Sequence, residues 1–101
     1  MAINHSVIIT FRRVLTQQER QALLTDVNSM KGSIPEIIRL KCGFDLKLSG
    51  AETEIFSLNA SFDNVEAYIT YQSHPVHRSF IESHIQPLMV ERKAVQFETI
   101  D

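Results

Sequence analysis

The segment from Tyr71 to His77 holds the densest group of side chains that could do chemistry, two histidines and a tyrosine around Pro75. His77 is the candidate general base, because a histidine held against apolar residues is neutral near pH 7 and accepts a proton. Tyr71 is the candidate donor of a hydrogen bond to a substrate oxygen. His74, directly before Pro75, is expected to contact a ligand.

A third candidate, His5, lies in the segment Ile3–Phe11, whose residues alternate between two faces. The alternation predicts a strand and places His5 on its apolar face, toward the helices, where it could approach His77 across one cavity. The other ligand-contacting candidates are apolar residues of this strand and of the second helical region: Val7, Ile9, Phe80 and Ile81. Alternatively, His77 and Tyr71 simply complete the core.

Other site chemistries have weaker support in the sequence. The four histidines could ligate zinc, but an HxxH spacing across a proline has neither a cysteine pair nor an HExxH motif beside it, and we expect no metal. Cys42 is interpreted as a buried strand residue, and the sequence has no nucleophile elbow and no glycine-rich phosphate loop. We therefore expect no cofactor.

Composition restricts the class of protein. The 101 residues are 44% hydrophobic and 22% charged, which is typical of a soluble globular protein, and we assign residues 1–101 to a single domain. A net charge of −2 argues against a nucleic-acid binder, and no apolar run is long enough to cross a bilayer. One cysteine and the lack of a signal-peptide segment predict a cytoplasmic location.

Alternation and helical spacing predict elements along the whole chain. Thr16 and Glu19 match a capping box and begin a helix. Pro75 separates two short helices, the first of which is capped by Asp63 or Asn64. The remaining predicted strands are Ile37–Leu48, Glu54–Phe62 and Arg92–Ile100.

The predicted order is β-α-β-β-α-β, with the second helical region in two pieces. That order is typical of the α+β ferredoxin-like fold, a four-stranded antiparallel sheet with helices on one face. The other face would expose Ile8, Ile37 and Ile100 among polar neighbours. A second copy of the sheet in a twofold dimer would cover this face, so we predict a homodimer through the open sheet face.

Several motifs together resemble the stress-responsive α/β barrel (Dabb) domain family over nearly the whole chain. They are the His5-x-Val7 start, Ile34-Pro35 before a strand, the Tyr71-x-x-His74-Pro75-x-His77 block, and Gln86-Pro87-Leu88 before the last strand. The resemblance implies a dimeric α+β barrel of two ferredoxin-like sheets packed face to face. By similarity to a cofactor-free polyketide cyclase of that family, it also implies that His77 takes a proton from an activated methylene, Tyr71 polarises the carbonyl and His5 supports them.

The leading hypothesis is a pocket between sheet and helices that binds a small carbonyl compound, with cofactor-free lyase or cyclase chemistry if the protein is an enzyme. We expect a ligand smaller or more polar than a long-chain polyketide. The residues after His77, Arg78 and Ser79, are polar, and the first helix has Leu23 and Leu24 where a long apolar pocket would need aromatic side chains. The alternatives are a non-enzymatic stress-responsive structural or binding protein and a cofactor-free oxygenase. A cavity of about 300 Å³ beside His77 would favour ligand binding, and a filled core would favour the structural role.

Overall fold

The computed structural model describes residues 2–100. Four strands form one antiparallel sheet in the order β2-β3-β1-β4: β1 (Ile3–Phe11), β2 (Arg39–Phe44), β3 (Glu54–Phe62) and β4 (Met89–Glu98). The helices are α1 (Gln17–Ser33), α2 (Val65–Ser73), α3 (Pro75–Phe80) and a π-helical turn (Ile81–Ile85). The predicted α+β ferredoxin-like order is confirmed. Within residues 2–100, no helix has the length and apolar character needed to cross a membrane.

The core lies between the sheet and the helices and follows from two sequence periods. In β1 every second side chain from Ile3 to Phe11 is buried, because alternate residues of a strand point to the same face. In α1 the buried residues Leu23, Val27 and Met30 are spaced by about one helical turn. One face of β1, which includes His5, is therefore directed toward the helices.

Both predicted helix starts form. The Thr16 hydroxyl accepts a hydrogen bond from the Glu19 N–H, and the Glu19 carboxylate accepts one from the Thr16 N–H, which completes the capping box. Of the two candidate caps for α2, Asn64 is the one used, and its side-chain oxygen accepts from the Ala67 N–H at 2.9 Å. These caps satisfy backbone donors that the first helical turns leave without partners.

β2 is shorter than predicted, which corrects the strand Ile37–Leu48. Its pairing with β3 ends at Phe44. Lys47 then adopts a φ of 63°, a left-handed conformation that a strand does not contain. Leu46 and Leu48 are 79% and 87% exposed, so their apparent alternation belongs to a loop.

Two residues predicted on the open sheet face lie elsewhere. β4 begins three residues before Arg92 and ends before Ile100, which is therefore outside the sheet. Ile37 precedes β2 in a turn, where its N–H donates to the Ile34 carbonyl at 3.1 Å. Because strand alternation has not yet begun at Ile37, its side chain is buried in the core.

A buried ion pair ties α1 to the sheet. The carboxylate of Glu54 is fully buried and accepts hydrogen bonds from the Arg20 guanidinium at 2.7 and 3.0 Å and from the Leu15 N–H at 3.1 Å. The same guanidinium lies over the Phe44 ring, 4.6 Å from its centroid. These partners offset the cost of burying the carboxylate, so we assign the pair a structural role.

Candidate functional site

The site begins at His5 in the middle of β1. β1 lies between β3 and β4, and His5 pairs with Ala60 on one side and Gln96 on the other. The predicted alternation points His5 toward the helices, and its side chain is 3% exposed. The His5 ring lies 5.2 Å from the Tyr68 ring, centroid to centroid.

The break between α2 and α3 brings Tyr71 and His77 together. Pro75 disfavours helical backbone at the preceding residue, and His74 accordingly has φ −65° and ψ 135°. Tyr71 therefore lies in the last turns of α2 and His77 in the first turn of α3, with their ring centroids 4.3 Å apart. The Tyr71 ring is also 5.9 Å from the His5 ring.

These three residues share one small cavity between β1, β3 and the helices. Its volume is about 20 Å³, enough for one water molecule. The cavity is therefore far smaller than the roughly 300 Å³ that would by itself favour ligand binding. It is lined by His5, Val7, Ile9, Phe56, Leu58, Tyr71, His77, Phe80, Ile81 and Arg92.

An open groove of about 250 Å³ lies on the outer side of the same wall. Two residues, His77 and Ile81, line both the groove and the inner cavity. Ile81 is the first residue of the π-helical turn, in which the Gln86 N–H donates to the Ile81 carbonyl at 2.9 Å. The wall between the groove and the cavity is therefore formed by two side chains, one of which belongs to an irregular helical segment.

Burial keeps both histidines of the site uncharged. It lowers the pKa of His5 to about 4, and the charges of Arg92 and His77 act in the same direction. Burial also lowers the pKa of His77, against the opposing effect of a hydrogen bond to the Gln72 carbonyl. At neutral pH both rings are available as neutral imidazoles.

The hydrogen-bond partners assign different roles to the two rings. Nδ1 of His77 lies 3.1 Å from the backbone carbonyl oxygen of Gln72, which can only accept a hydrogen bond. Nδ1 therefore carries the hydrogen of the neutral ring, and Nε2 is the nitrogen that accepts a proton. The Gln96 side-chain nitrogen donates to Nδ1 of His5 at 2.9 Å, so the neutral His5 ring carries its hydrogen on Nε2. His77 is thus arranged as a base and His5 as a donor.

Tyr71 is arranged as a permanent hydrogen-bond donor. Its side chain is 3% exposed, and burial together with the nearby Tyr68 raises the pKa of its hydroxyl above the ordinary value. The hydroxyl therefore stays protonated throughout the physiological range. A neutral base, a neutral N–H and a phenol together fit proton transfer at a carbon next to a carbonyl.

The structure does not bring His74 to the cavity. Its Nδ1 accepts a hydrogen bond from the Val76 N–H at 3.1 Å, so the side chain caps α3 and does not line the site. The other four predicted contact residues, Val7, Ile9, Phe80 and Ile81, do line the cavity. Across residues 2–100 no group of three or more histidine, cysteine or acidic side chains is placed to hold a metal ion.

Three residues of the site have no individual signal in the sequence: Tyr68, Arg92 and Gln96. The pairing of β4 with β1 sets Arg92 opposite Ile9 and Gln96 opposite His5, on the face toward the helices. Arg92, Ala94 and Gln96 do alternate along the chain, and the register of β4 against β1 would have assigned them to that face. That register joins residues about ninety positions apart and is not visible in local periodicity.

Comparison with known families agrees with this geometry. Residues 3–99 match the Stress Responsive A/B Barrel Domain, abbreviated Dabb. The chain belongs to the Dabb family. No protein with a curated description matches the sequence.

Solved structures with the same fold cover nearly the whole chain. A dimeric ferredoxin-like protein of unknown function from Thermobifida fusca is 28% identical with a TM-score of 0.85, over 98% of this chain and 92% of that one. A hydroxynitrile lyase from Passiflora edulis is 18% identical with a TM-score of 0.79, over 99% and 97%. SnoaB, a cofactor-independent oxygenase from Streptomyces nogalater, is 9% identical with a TM-score of 0.74, over 99% and 94%. The last two show a shared fold, and the first is described as dimeric.

Proposed function

We propose that this Dabb protein binds a small carbonyl compound beside His77 and transfers a proton at the carbon next to the carbonyl, without a cofactor. One observation carries the proposal. His5, Tyr71 and His77 meet at a buried cavity whose lining contains no carboxylate, and burial keeps all three groups neutral. A neutral base facing neutral donors is what enolate formation requires.

The proposed step uses the protonation states of the free site. Nε2 of His77 takes a proton from the carbon, and the C–H electron pair forms the C=C bond of an enolate while the C=O π electrons move to oxygen. The Tyr71 hydroxyl donates to that oxygen, and Nε2–H of His5 is a second donor. The proton on His77 then returns to the carbon as the C=O bond re-forms. Alternatively, a leaving group on the carbon β to the carbonyl departs with its bonding electron pair and takes the proton from His77, while the enolate electrons form a C=C bond to that carbon and the C=O bond re-forms.

Ligand entry requires the wall of the cavity to move. The inner space of about 20 Å³ holds one water, whereas the groove outside His77 offers about 250 Å³. A ligand in the groove reaches the cavity if Ile81 shifts, and π-helical turns are often found at functional sites. The small inner volume supports a short, polar substrate over a long acyl chain.

The same small volume favours a second candidate, a non-enzymatic protein in which these residues complete the core. His5 has a hydrogen-bond partner in Gln96, and His77 has one in the Gln72 carbonyl. Among residues 2–100, no fully buried side-chain nitrogen or oxygen lacks a partner. A filled and satisfied core is what a purely structural role would produce.

Deuterium uptake at the methylene of small 3-oxo compounds separates the two candidates. Acetoacetate and acetoacetamide in D₂O are followed by proton NMR, with and without protein. The wild type should exceed the buffer rate, and His77→Gln should lower that excess about 100-fold or more. His84→Gln is the matched control, because His84 contacts Asp26 and does not line the cavity. Uptake no faster than buffer, with His77→Gln affecting only the melting temperature, would favour the structural candidate.

We also propose that the chain forms a homodimer through the open sheet face. Ile8 of β1 and Val95 and Phe97 of β4 lie on this face, and each is about half exposed. Burying such a patch against a second copy removes apolar surface from water on both subunits. The similar protein from Thermobifida fusca is described as dimeric, which supports the proposal.

A further inference from the structure

Arg92 is the one charged side chain among the residues that line the inner cavity. It lies on β4 opposite Ile9, on the face of the sheet toward the helices, and it is exposed to solvent. Its position on an edge strand places it at the border between the cavity and solvent, while His5 and Tyr71 are only 3% exposed. The guanidinium therefore contacts both solvent and any ligand that occupies the cavity.

No carboxylate among the described residues forms an ion pair with this guanidinium. Within residues 2–100 the ion pairs are Arg13–Glu19, Arg20–Glu54 and His84–Asp26, and none involves Arg92. The cavity lining contains no aspartate or glutamate. The charge of Arg92 also lowers the pKa of both His5 and His77, so its field reaches the reacting groups. The site therefore carries one uncompensated positive charge.

We propose that Arg92 binds a carboxylate of the substrate, and that the substrate is a small 3-oxo carboxylate. The proposal rests on the proposed function and specifies its substrate class. A guanidinium binds a carboxylate through two parallel hydrogen bonds, which fixes orientation as well as position. With the carboxylate at the solvent border, the carbonyl and its acidic methylene point inward to Tyr71 and His77.

An anionic substrate also fits the electrostatics of the step. A neutral ligand would leave the positive charge without a partner beside two imidazoles. A carboxylate supplies the missing charge, and the guanidinium favours the negative charge that develops on the enolate. Arg92 would thus select an anion when the ligand binds and stabilise the additional charge during proton transfer.

Matched probes test this assignment independently of turnover. Acetate and acetamide differ in charge and have no activated methylene, and acetoacetate and acetoacetamide repeat the comparison with one. Binding is measured from the ¹⁵N shifts of the His5 and His77 rings in wild type, Arg92→Gln and Arg92→Lys. Arg12→Gln is the control, because Arg12 is also an exposed guanidinium but lines neither the cavity nor the outer groove.

We expect both carboxylates to bind at least about ten-fold more tightly than their amides, as for a charge-assisted hydrogen bond. Arg92→Gln should abolish this preference, Arg92→Lys should retain part of it, and Arg12→Gln should retain all of it. Equal binding of acids and amides, or a preference that survives Arg92→Gln, would overturn the inference. If deuterium uptake from acetoacetamide persists in that case, the proposed function stands.

The reverse result is equally distinct. An Arg92-dependent preference for acetate, without deuterium uptake from either 3-oxo compound, would support carboxylate binding and overturn the proposed proton transfer. If no probe shifts either histidine and no uptake occurs, both proposals are wrong.

Discussion

His5 should make the protein lose stability as the pH falls from about 6.5 toward 4. Its imidazole is 3% exposed, and burial, with the charges of Arg92 and His77, lowers its pKa from 6.5 to about 4. Well above pH 6.5 the ring is neutral in both the folded and the unfolded chain, so the shift has almost no effect there. Between the two pKa values the unfolded chain binds the proton and the folded chain does not, which favours unfolding.

The magnitude follows from the size of the shift. A drop from 6.5 to about 4 corresponds to about 3 kcal/mol at 1.36 kcal/mol per pKa unit, fully developed below pH 4. At pH 4.5 about 2 kcal/mol of this loss is already present. That is a large fraction of the stability of a domain of this size.

Urea unfolding of wild type and His5→Gln at pH 7 and pH 4.5 measures this contribution. Glutamine does not titrate, so the variant should lose about 2 kcal/mol less than the wild type between the two pH values. His5→Asn, which also does not titrate, should show the same reduced loss. A direct NMR titration of His5 should find its midpoint near pH 4. If His5→Gln has the same pH dependence as the wild type, the burial of a neutral His5 is refuted.

Two further outcomes test the fold and the assembly. Arg20→Ala should lower the free energy of unfolding by about 3 kcal/mol, measured with urea, because it leaves the buried Glu54 carboxylate without its ion-pair partner. Arg13→Ala, at an exposed ion pair, should change the stability little. Equal effects of the two substitutions would contradict the structural role of the buried pair. Ile8→Lys should convert a dimer into a monomer by light scattering, while Leu46→Lys, on an exposed loop, should leave the dimer intact. A wild type with monomer mass would refute the dimer.

The fold was largely predictable because its determinants are local. The period-two burial of β1 and the capping box at Thr16 depend on residues a few positions apart, and both appear in the structure as expected. Pro75 limits the backbone of His74 directly, so the helix break was equally visible. The Dabb motifs added the family and the α+β barrel fold, which periodicity alone does not distinguish from other ferredoxin-like domains.

The predictions from the sequence were wrong or incomplete where the structure depends on contacts between distant segments or departs from the local residue pattern. Leu46 and Leu48 continue the alternation after the pairing of β2 with β3 has ended at Phe44, and the left-handed backbone at Lys47 lies between them. Arg92 and Gln96 join the site only through the pairing of β4 with β1. The volume of the cavity depends on how side chains from distant segments fill one space, and no sequence period encodes it.

The two candidate functions differ in what they require of position 5. A core selected for packing alone gains nothing from an imidazole there, since an apolar side chain would avoid both the desolvation of the ring and its linkage to pH. Keeping His5 neutral thus lowers the stability of the folded protein, and the part of this loss that depends on pH appears only under acidic conditions. Proton transfer requires a neutral His77, because protonation would remove the base, and a neutral His5 adds no second positive charge beside Arg92. A stability loss on acidification together with deuterium uptake at neutral pH would therefore connect the energetic cost of the site to its chemistry.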